Sequence, residues 1–325
     1  MLFAYALRGN SLERTTVETG AGLPEAAIWF DLVSPTSEEE RLVESKLNIG
    51  VPTREEMAEI EPSSRLYIEN GARYMTATLI YKADTDRPST TVVTFIVTSG
   101  KLVTVRYEEP RPFVRVASKL GRSCPQGATG EAVLIDLLDA VIDRSADILE
   151  RAGTEIDEVS RRIFEGRAAQ DNPGQRYFAS LRAIGRKGDL TSKTRESLVS
   201  IGRIVIFFAN EADNLKLPRD QRAQVKSMAR DVQSLTDHAS FLINKIQFLL
   251  DAVVGMVSLE QNNVTKIFSV VAVVLMPPTL IASIYGMNFR HMPELEWVAG
   301  YPLALIVMII AAIAPYLFFK WKKWL

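Results

Sequence analysis

Three patterns of apolar and polar positions follow one another along the chain. In roughly the first 125 residues the apolar positions form short runs rich in Val, Ile, Thr and aromatics. Met75–Tyr81, Thr90–Thr98 and Leu102–Tyr107 are predicted strands, Ala27–Leu32 is a shorter one, and Ser99-Gly100 fits a tight hairpin turn. Thr36-Ser37-Glu38-Glu39 and Thr53-Arg54-Glu55-Glu56 are capping-box patterns, in which a hydroxyl and a carboxylate satisfy the free N–H groups of a helix start. From about Gly130 the strand signals stop. Leu134, Leu138, Val141, Ile148, Ile156, Val159 and Ile163 then recur at helical spacing as the buried face of one long helix. Asp171-Asn172-Pro173-Gly174 breaks that pattern, a second helix runs to about Leu215, and Pro218 opens a third segment.

The third segment carries two stripes. Between Arg219 and Met276 there is no proline, and Gly255 is the only glycine. Val225, Met228, Val232, Leu235, Ala239, Leu242, Ile246, Leu249, Val253 and Met256 step by threes and fours without a slip, the 3.5-residue seam of helices packed side by side. About half a turn away, Asp251, Gly255, Ser258, Asn262, Thr265, Ser269, Ala272, Met276, Thr279 and Ser283 keep the same spacing but are small or polar. Small residues in a membrane helix commonly mark close helix packing. A water-lined conduit better explains a stripe that continues from a charged stalk into an apolar run.

Ile267–Phe289 and Trp297–Phe319 contain no Asp, Glu, Lys or Arg. As a helix each is long enough for a hydrocarbon core of about 30 Å. Lys320, Lys322 and Lys323 follow the second run and Lys266 precedes the first, so both termini are expected in the cytoplasm, with Arg290–Glu296 as the outer link. Trp297, Tyr301, Trp321 and Trp324 fall at interfacial positions, and Pro277-Pro278 favours a kink in the first span. Two helices cannot enclose a pore, so a conducting chain must form a homo-oligomer around a shared axis.

Composition narrows the alternatives. The 38 basic and 39 acidic residues leave a charge of −1, so no nucleic-acid partner is expected. Cys124 is the single cysteine and His238 and His291 are the only histidines, which excludes a disulfide framework and a multi-histidine metal site within one chain. There is no Walker-type phosphate loop, no assembled nucleophile–base constellation, and no signal-peptide pattern in the first residues. The chain reads as a non-enzyme whose N-terminal body stays in the cytoplasm.

Tyr285-Gly286-Met287-Asn288, then Phe289 and Met292-Pro293-Glu294-Leu295, stand at the outer end of the first span. This resembles the CorA family of magnesium transport proteins, whose signature is Gly-Met-Asn followed by Met-Pro-Glu-Leu. Ile267–Val271, Met276–Leu280 and the basic tail Lys320–Leu325 extend the resemblance, which covers about Glu260 to Leu325. It implies a homopentameric funnel in the inner or plasma membrane, with lipid as its surroundings and no organic cofactor. The expected parts are a cytoplasmic α/β domain over 1–127, a helical stalk over 128–266, and a transmembrane hairpin with a basic tail over 267–325.

By the same resemblance Asn288 is the selectivity residue beside Gly286 and Met287. Met276 and Thr279 line the pore below, and Asp251 forms a carboxylate ring near the cytoplasmic mouth. Ser283, Ser269 and Asn262 join this wall through the stripe. The cargo implied is Mg²⁺, a hard ion that dehydrates reluctantly and suits neutral oxygen ligands acting through its waters; Co²⁺ and Ni²⁺ are further expected cargoes. Mg²⁺ is also the implied regulator, with Asp84 and Asp231 as its candidate ligands. Arg290-His291 departs from the family, which often has an acidic and an apolar residue there. An Arg290 ring opposes cation capture, which Glu294 and Glu296 offset in part. The rival readings are a zinc or other divalent transporter on the same scaffold and a membrane-anchored coiled-coil sensor without transport.

Overall fold

Seven strands form one mixed sheet in the order β2-β1-β3-β7-β6-β5-β4. They are β1 (Leu2–Arg8), β2 (Ser11–Thr16), β3 (Ala27–Val33), β4 (Leu66–Glu69), β5 (Ala72–Tyr81), β6 (Ser89–Thr98) and β7 (Lys101–Arg106). All neighbours are antiparallel except β3 and β7. The structure, a computed structural model, describes residues 1–18, 22–164, 173–288, 290 and 292–322. The four strands expected from sequence are present, three with slightly longer bounds and Leu102–Tyr107 shifted by one residue to Lys101–Arg106. Strands β1, β2 and β4 were not anticipated. Ser99 (φ 47°) and Gly100 (φ 75°) make the β6–β7 turn, and Asn70 (φ 50°) with Gly71 (φ 80°) makes the β4–β5 turn in the same left-handed geometry.

Alternation of side chains across the pleat gives the sheet two buried faces. Phe30, Leu32, Tyr74, Ile96, Val103 and Val105 pack with Val43 of α1 (Ser37–Leu47) and Met57 of α2 (Arg54–Ala58). Both helices start at the expected capping boxes: Thr36 N–H donates to Glu39 at 2.8 Å, and Thr53 N–H to Glu56 at 2.8 Å. A short helix α3 (Pro62–Arg65) leads into β4. On the other face Trp29, Met75, Phe95 and Val97 meet α4 (Arg111–Arg122), α5 (Gly130–Phe164), α6 (Pro173–Asn210) and the first turns of α7 (Arg219–Tyr285).

Parallel strands β3 and β7 are tied by a buried polar network. Asp31 accepts from Arg106 Nε at 3.0 Å and Nη2 at 2.8 Å and from the Thr104 hydroxyl at 2.7 Å. Trp29 Nε1 donates to the same Thr104 oxygen at 2.9 Å. The Arg106 guanidinium also lies over the Phe113 ring, 4.8 Å from its centroid.

Helix α5 begins against the sheet through Gly130, whose N–H donates to the Gly100 carbonyl at 2.6 Å. A Cβ here would sit 2.2 Å from the Leu102 backbone nitrogen, so no other residue fits. All seven apolar positions predicted for this helix are buried. Of the break expected at Asp171-Asn172-Pro173-Gly174, the first two residues lie outside the described residues, and Pro173-Gly174 form the start of α6. Helix α6 ends at Asn210, earlier than the expected Leu215, in turns that pass through Lys216 with φ 52°. The seam of α7 is real: Val225, Met228, Val232, Ala239, Leu242, Leu249 and Val253 are buried. Glycines on the neighbouring helices make room for it, Gly153 facing Leu242, Gly188 facing Ile246 and Gly202 facing Val232.

The chain forms two compact units, Met1–Leu250 and Asp251–Leu325. Sheet and long helices share one hydrophobic core within the first. The second holds the end of α7, a 3-10 turn (Pro293–Glu296) and α8 (Gly300–Trp321). Among the described residues α7 and α8 are the helices long and apolar enough to cross a membrane. Helix α7 is unbroken through Pro277 and Pro278 and stops at Tyr285, and α8 starts three residues later than the charge-free run.

Candidate functional site

The polar stripe lies on α7 in the second unit. Asp251, Gly255, Ser258, Asn262, Thr265, Ser269, Ala272, Met276, Thr279 and Ser283 are all exposed in the single chain. Within this unit Val270 is buried, whereas Val271, Leu275 and Leu280 on α7 and Leu303, Ile306 and Ile310 on α8 remain exposed. Apolar surface of this extent on two long helices calls for lipid or further protein.

Four of the five stripe hydroxyls share one geometry. Ser258 donates to the Val254 carbonyl at 3.0 Å, Thr265 to Gln261 at 2.9 Å, Ser269 to Thr265 at 2.9 Å and Thr279 to Leu275 at 2.7 Å. Each proton is spent on the carbonyl four residues back. A hydroxyl has one donor and two acceptor lone pairs, so the outward side of each oxygen is an acceptor. Water carried by a cation offers the complementary donor.

Helix α7 ends through the glycine of the tripeptide. Gly286 N–H closes the last helical turn on the Ala282 carbonyl at 3.0 Å, and Met287 N–H reaches the Ile284 carbonyl at 3.2 Å. A Cβ on Gly286 would press on the Ala282 oxygen at 3.2 Å. Asn288 follows outside the helix and is exposed, as are Met287 and Arg290. Phe289 and His291 of the outer loop, and Lys323 and Trp324 of the tail, lie outside the described residues. Glu294 falls within the 3-10 turn, with its side chain likewise outside the described part, and Glu296 ends that turn exposed.

The two candidate regulatory carboxylates have different surroundings. Asp84, just past β5, pairs with Arg144 at 2.6 Å, Arg151 at 2.5 Å and Arg111. Burial pushes its carboxyl up, but hydrogen bonds from Arg151 and Arg144 and their charge outweigh this and hold it below the usual range. Three guanidiniums take both oxygens and leave a positive field, so within the single chain Asp84 is a salt-bridge anchor. Sequence reading could not see this, because two of those arginines come from α5, 60 and 67 positions away.

Asp231 is exposed on α7 near Asp139 of α5. The Asp139 carboxyl is pushed up by burial first, then by Asp143 and Asp136, with Lys119 opposing and Asp231 adding to the rise. Asp136 and Asp143 are themselves paired, with Lys119 at 2.8 Å and Arg115 at 3.4 Å. Among the described residues no three metal-capable side chains converge.

The family model for the CorA-like Mg2+ transporter protein matches residues 24–323. This chain belongs to that family. It is 36% identical to the magnesium transport protein CorA of Escherichia coli K12 over 325 residues, all of both chains, and 36% identical to that of Salmonella typhimurium over the same length. Among solved structures it is similar to the complete CorA magnesium transporter of Methanocaldococcus jannaschii, with TM-score 0.75 and 16% identity over 100% of this chain and 99% of that one. The full-length CmaX protein gives TM-score 0.71 at 13% identity over 99% and 97%. At these identities the structural likeness speaks for the fold: an α/β N-terminal part, long helices and a C-terminal apolar helix. The family is one of transporters and not of enzymes. The stripe and the Gly-Met-Asn turn therefore stand in a magnesium-transporter chain.

Proposed function

We propose that this chain forms a homopentameric magnesium channel. Five copies of α7 surround one pore, with α8 outside toward lipid, in an inner or plasma membrane with both termini in the cytoplasm. The three-part division at residues 127 and 266 then separates a cytoplasmic body, a stalk and a membrane hairpin. The observation that carries the reading is the exposed stripe whose hydroxyl protons are spent inside the helix. Repeated around an axis, Asn262, Ser269, Met276, Thr279 and Ser283 give rings that accept from the waters of a hydrated ion without stripping them. Asp251 adds negative charge at the inner mouth. At the outer mouth Asn288 offers a ring of neutral amide oxygens, which hold a divalent ion weakly enough to release it.

The driving force needs no other energy source, because an inside-negative potential of about 100 mV is worth about 4.6 kcal/mol to a divalent cation. The test is Mg²⁺ uptake by liposomes holding the purified chain under an imposed inside-negative potential, beside Asn288→Ala. Rapid uptake that the variant loses is the expected result. Uptake of Zn²⁺ but not Mg²⁺ would move the cargo to the zinc reading, and uptake of neither would remove the channel. Co²⁺ and Ni²⁺ in the same assay define the breadth of selection. For regulation, Mg²⁺-dependent closure is proposed to run through Asp231, and not through the arginine-bound Asp84.

A further inference from the structure

A second feature belongs to the first unit alone. A cleft of about 320 Å³ opens between α3, β5 and α6. Three guanidiniums line it, Arg65, Arg195 and Arg203, against one carboxylate, Glu196. Their bonds within the chain are to neutral groups. Arg65 donates to the Glu59 carbonyl and, at 3.1 Å, to the Thr78 hydroxyl, and Arg195 donates to the Ser240 hydroxyl at 2.9 Å. Among the described residues none of the three has an ion pair within 4 Å, and the Arg203 guanidinium donates no side-chain hydrogen bond. Some arginines of the same unit are matched, Arg73 with Glu211, Arg186 with Asp86 and Arg222 with Asp213, while others such as Arg41, Arg54 and Arg87 stand singly; the cleft differs in gathering three unmatched ones.

Two of the three charges, those of Arg65 and Arg203, also feel one another. Burial lowers the proton affinity of the Arg65 guanidinium, Glu196 opposes the change, and the Arg203 charge lowers it further. Three like charges gathered in one concave place against a single carboxylate leave a net positive charge that destabilises the free chain, and an anion in the cleft relieves that cost. The donors fit a tetrahedral oxyanion, since a guanidinium fork meets phosphate oxygens two at a time. The Ser200 hydroxyl accepts the Thr78 N–H at 2.9 Å and so has its own proton to give.

We propose that this cleft binds a phosphate-bearing anion. The three guanidiniums supply the charge and the bidentate donors, and Ser200 adds a neutral donor. The site is independent of the pore, so it stands or falls apart from the channel reading.

The test is isothermal titration of the purified full chain in detergent with inorganic pyrophosphate, in magnesium-free buffer. Saturable binding is expected. Arg203→Ala and Arg195→Ala each should weaken it by at least about tenfold, as loss of a charge-assisted hydrogen bond does. Both side chains are exposed, so neither change threatens folding. Glu196→Gln removes the one opposing charge and should tighten binding. No saturable binding, or equal affinity in the three variants, overturns the proposal. So does a result in which Arg203→Ala shifts the oligomeric state by light scattering while pyrophosphate binding is unchanged, because the cleft would then be the seat of an acidic segment from a second copy.

Discussion

Removing Asp31 should cost more than any other single side-chain deletion in the sheet. In the folded chain its carboxylate is 1% exposed and takes the Arg106 guanidinium through Nε at 3.0 Å and Nη2 at 2.8 Å. The Thr104 hydroxyl at 2.7 Å completes its shell. Asp31→Ala leaves Arg106, 5% exposed, with a full charge and no counter-ion. Removing one partner of a buried pair costs about 3–5 kcal/mol, most of it the penalty of the charge left behind. For a unit of 250 residues, about 2–4 °C of melting temperature accompany each kcal/mol, which places the variant about 6–20 °C below wild type.

The assay is thermal unfolding of the full chain in detergent at fixed protein concentration, since association shifts apparent stability. The informative comparison is Asp31→Ala with Asp31→Ala/Arg106→Met. If the stranded guanidinium is the main cost, the double variant recovers at least half of the loss, even though it also gives up the Arg106 bond to the Glu108 carbonyl at 2.7 Å. A single variant within about 2 °C of wild type would refute the reasoning, as would a double variant whose loss equals the sum of both singles.

Three further outcomes follow from the same structure. Asp84→Asn should leave Mg²⁺-dependent closure intact in the liposome assay while Asp231→Lys impairs it. Because the folded-state affinity of Asp84 for a proton is depressed, its contribution is present above its unfolded value of about 3.9 and is lost as pH falls through the folded value, so the variant flattens the stability curve only below about pH 4. Gly130→Ala puts a Cβ 2.2 Å from the Leu102 nitrogen and should cost more than about 3 kcal/mol, read as loss of folded protein recovered from membranes. Arg290→Glu reverses the charge of an exposed loop residue beside Asn288 and should raise Mg²⁺ uptake at low external Mg²⁺; unchanged uptake removes Arg290 from ion capture.

What could be read before the structure depended on how local the cause was. The seam of α7 was legible because burial repeats with the helix period, and each of its apolar residues repeats the same message. The capping boxes were legible because Thr36 and Glu39 answer each other across one turn. Strand β4 escaped although Asn70-Gly71 is a strong hairpin signal, since only four residues, two of them exposed, precede it. Strand β2 escaped because Glu13, Arg14, Thr15 and Thr16 are exposed and give no apolar alternation. The surroundings of Asp84 and Arg203 were beyond reach for a different reason. Whether a charge is matched depends on side chains brought together by tertiary packing, and no spacing rule carries that information.

The two stripes of α7 obey one spacing and have opposite fates, and this difference bears on the pore. The seam is covered by the chain's own helices, whereas every stripe position is left exposed by the same chain. A covering second copy would suit a packing stripe as well, so exposure alone does not decide. Composition does. Close packing between copies favours Gly, Ala, Ser and Thr, which let backbones approach. Asp251 and Asn262 add a charge and an amide that such a contact would have to desolvate, and Met276 adds bulk that keeps backbones apart. A water-filled axis accepts all three, and the outward lone pairs of Ser258, Thr265, Ser269 and Thr279 give that water something to donate to. The stripe is consistent with a conduit at each of these positions, and with a packing face only at the small ones.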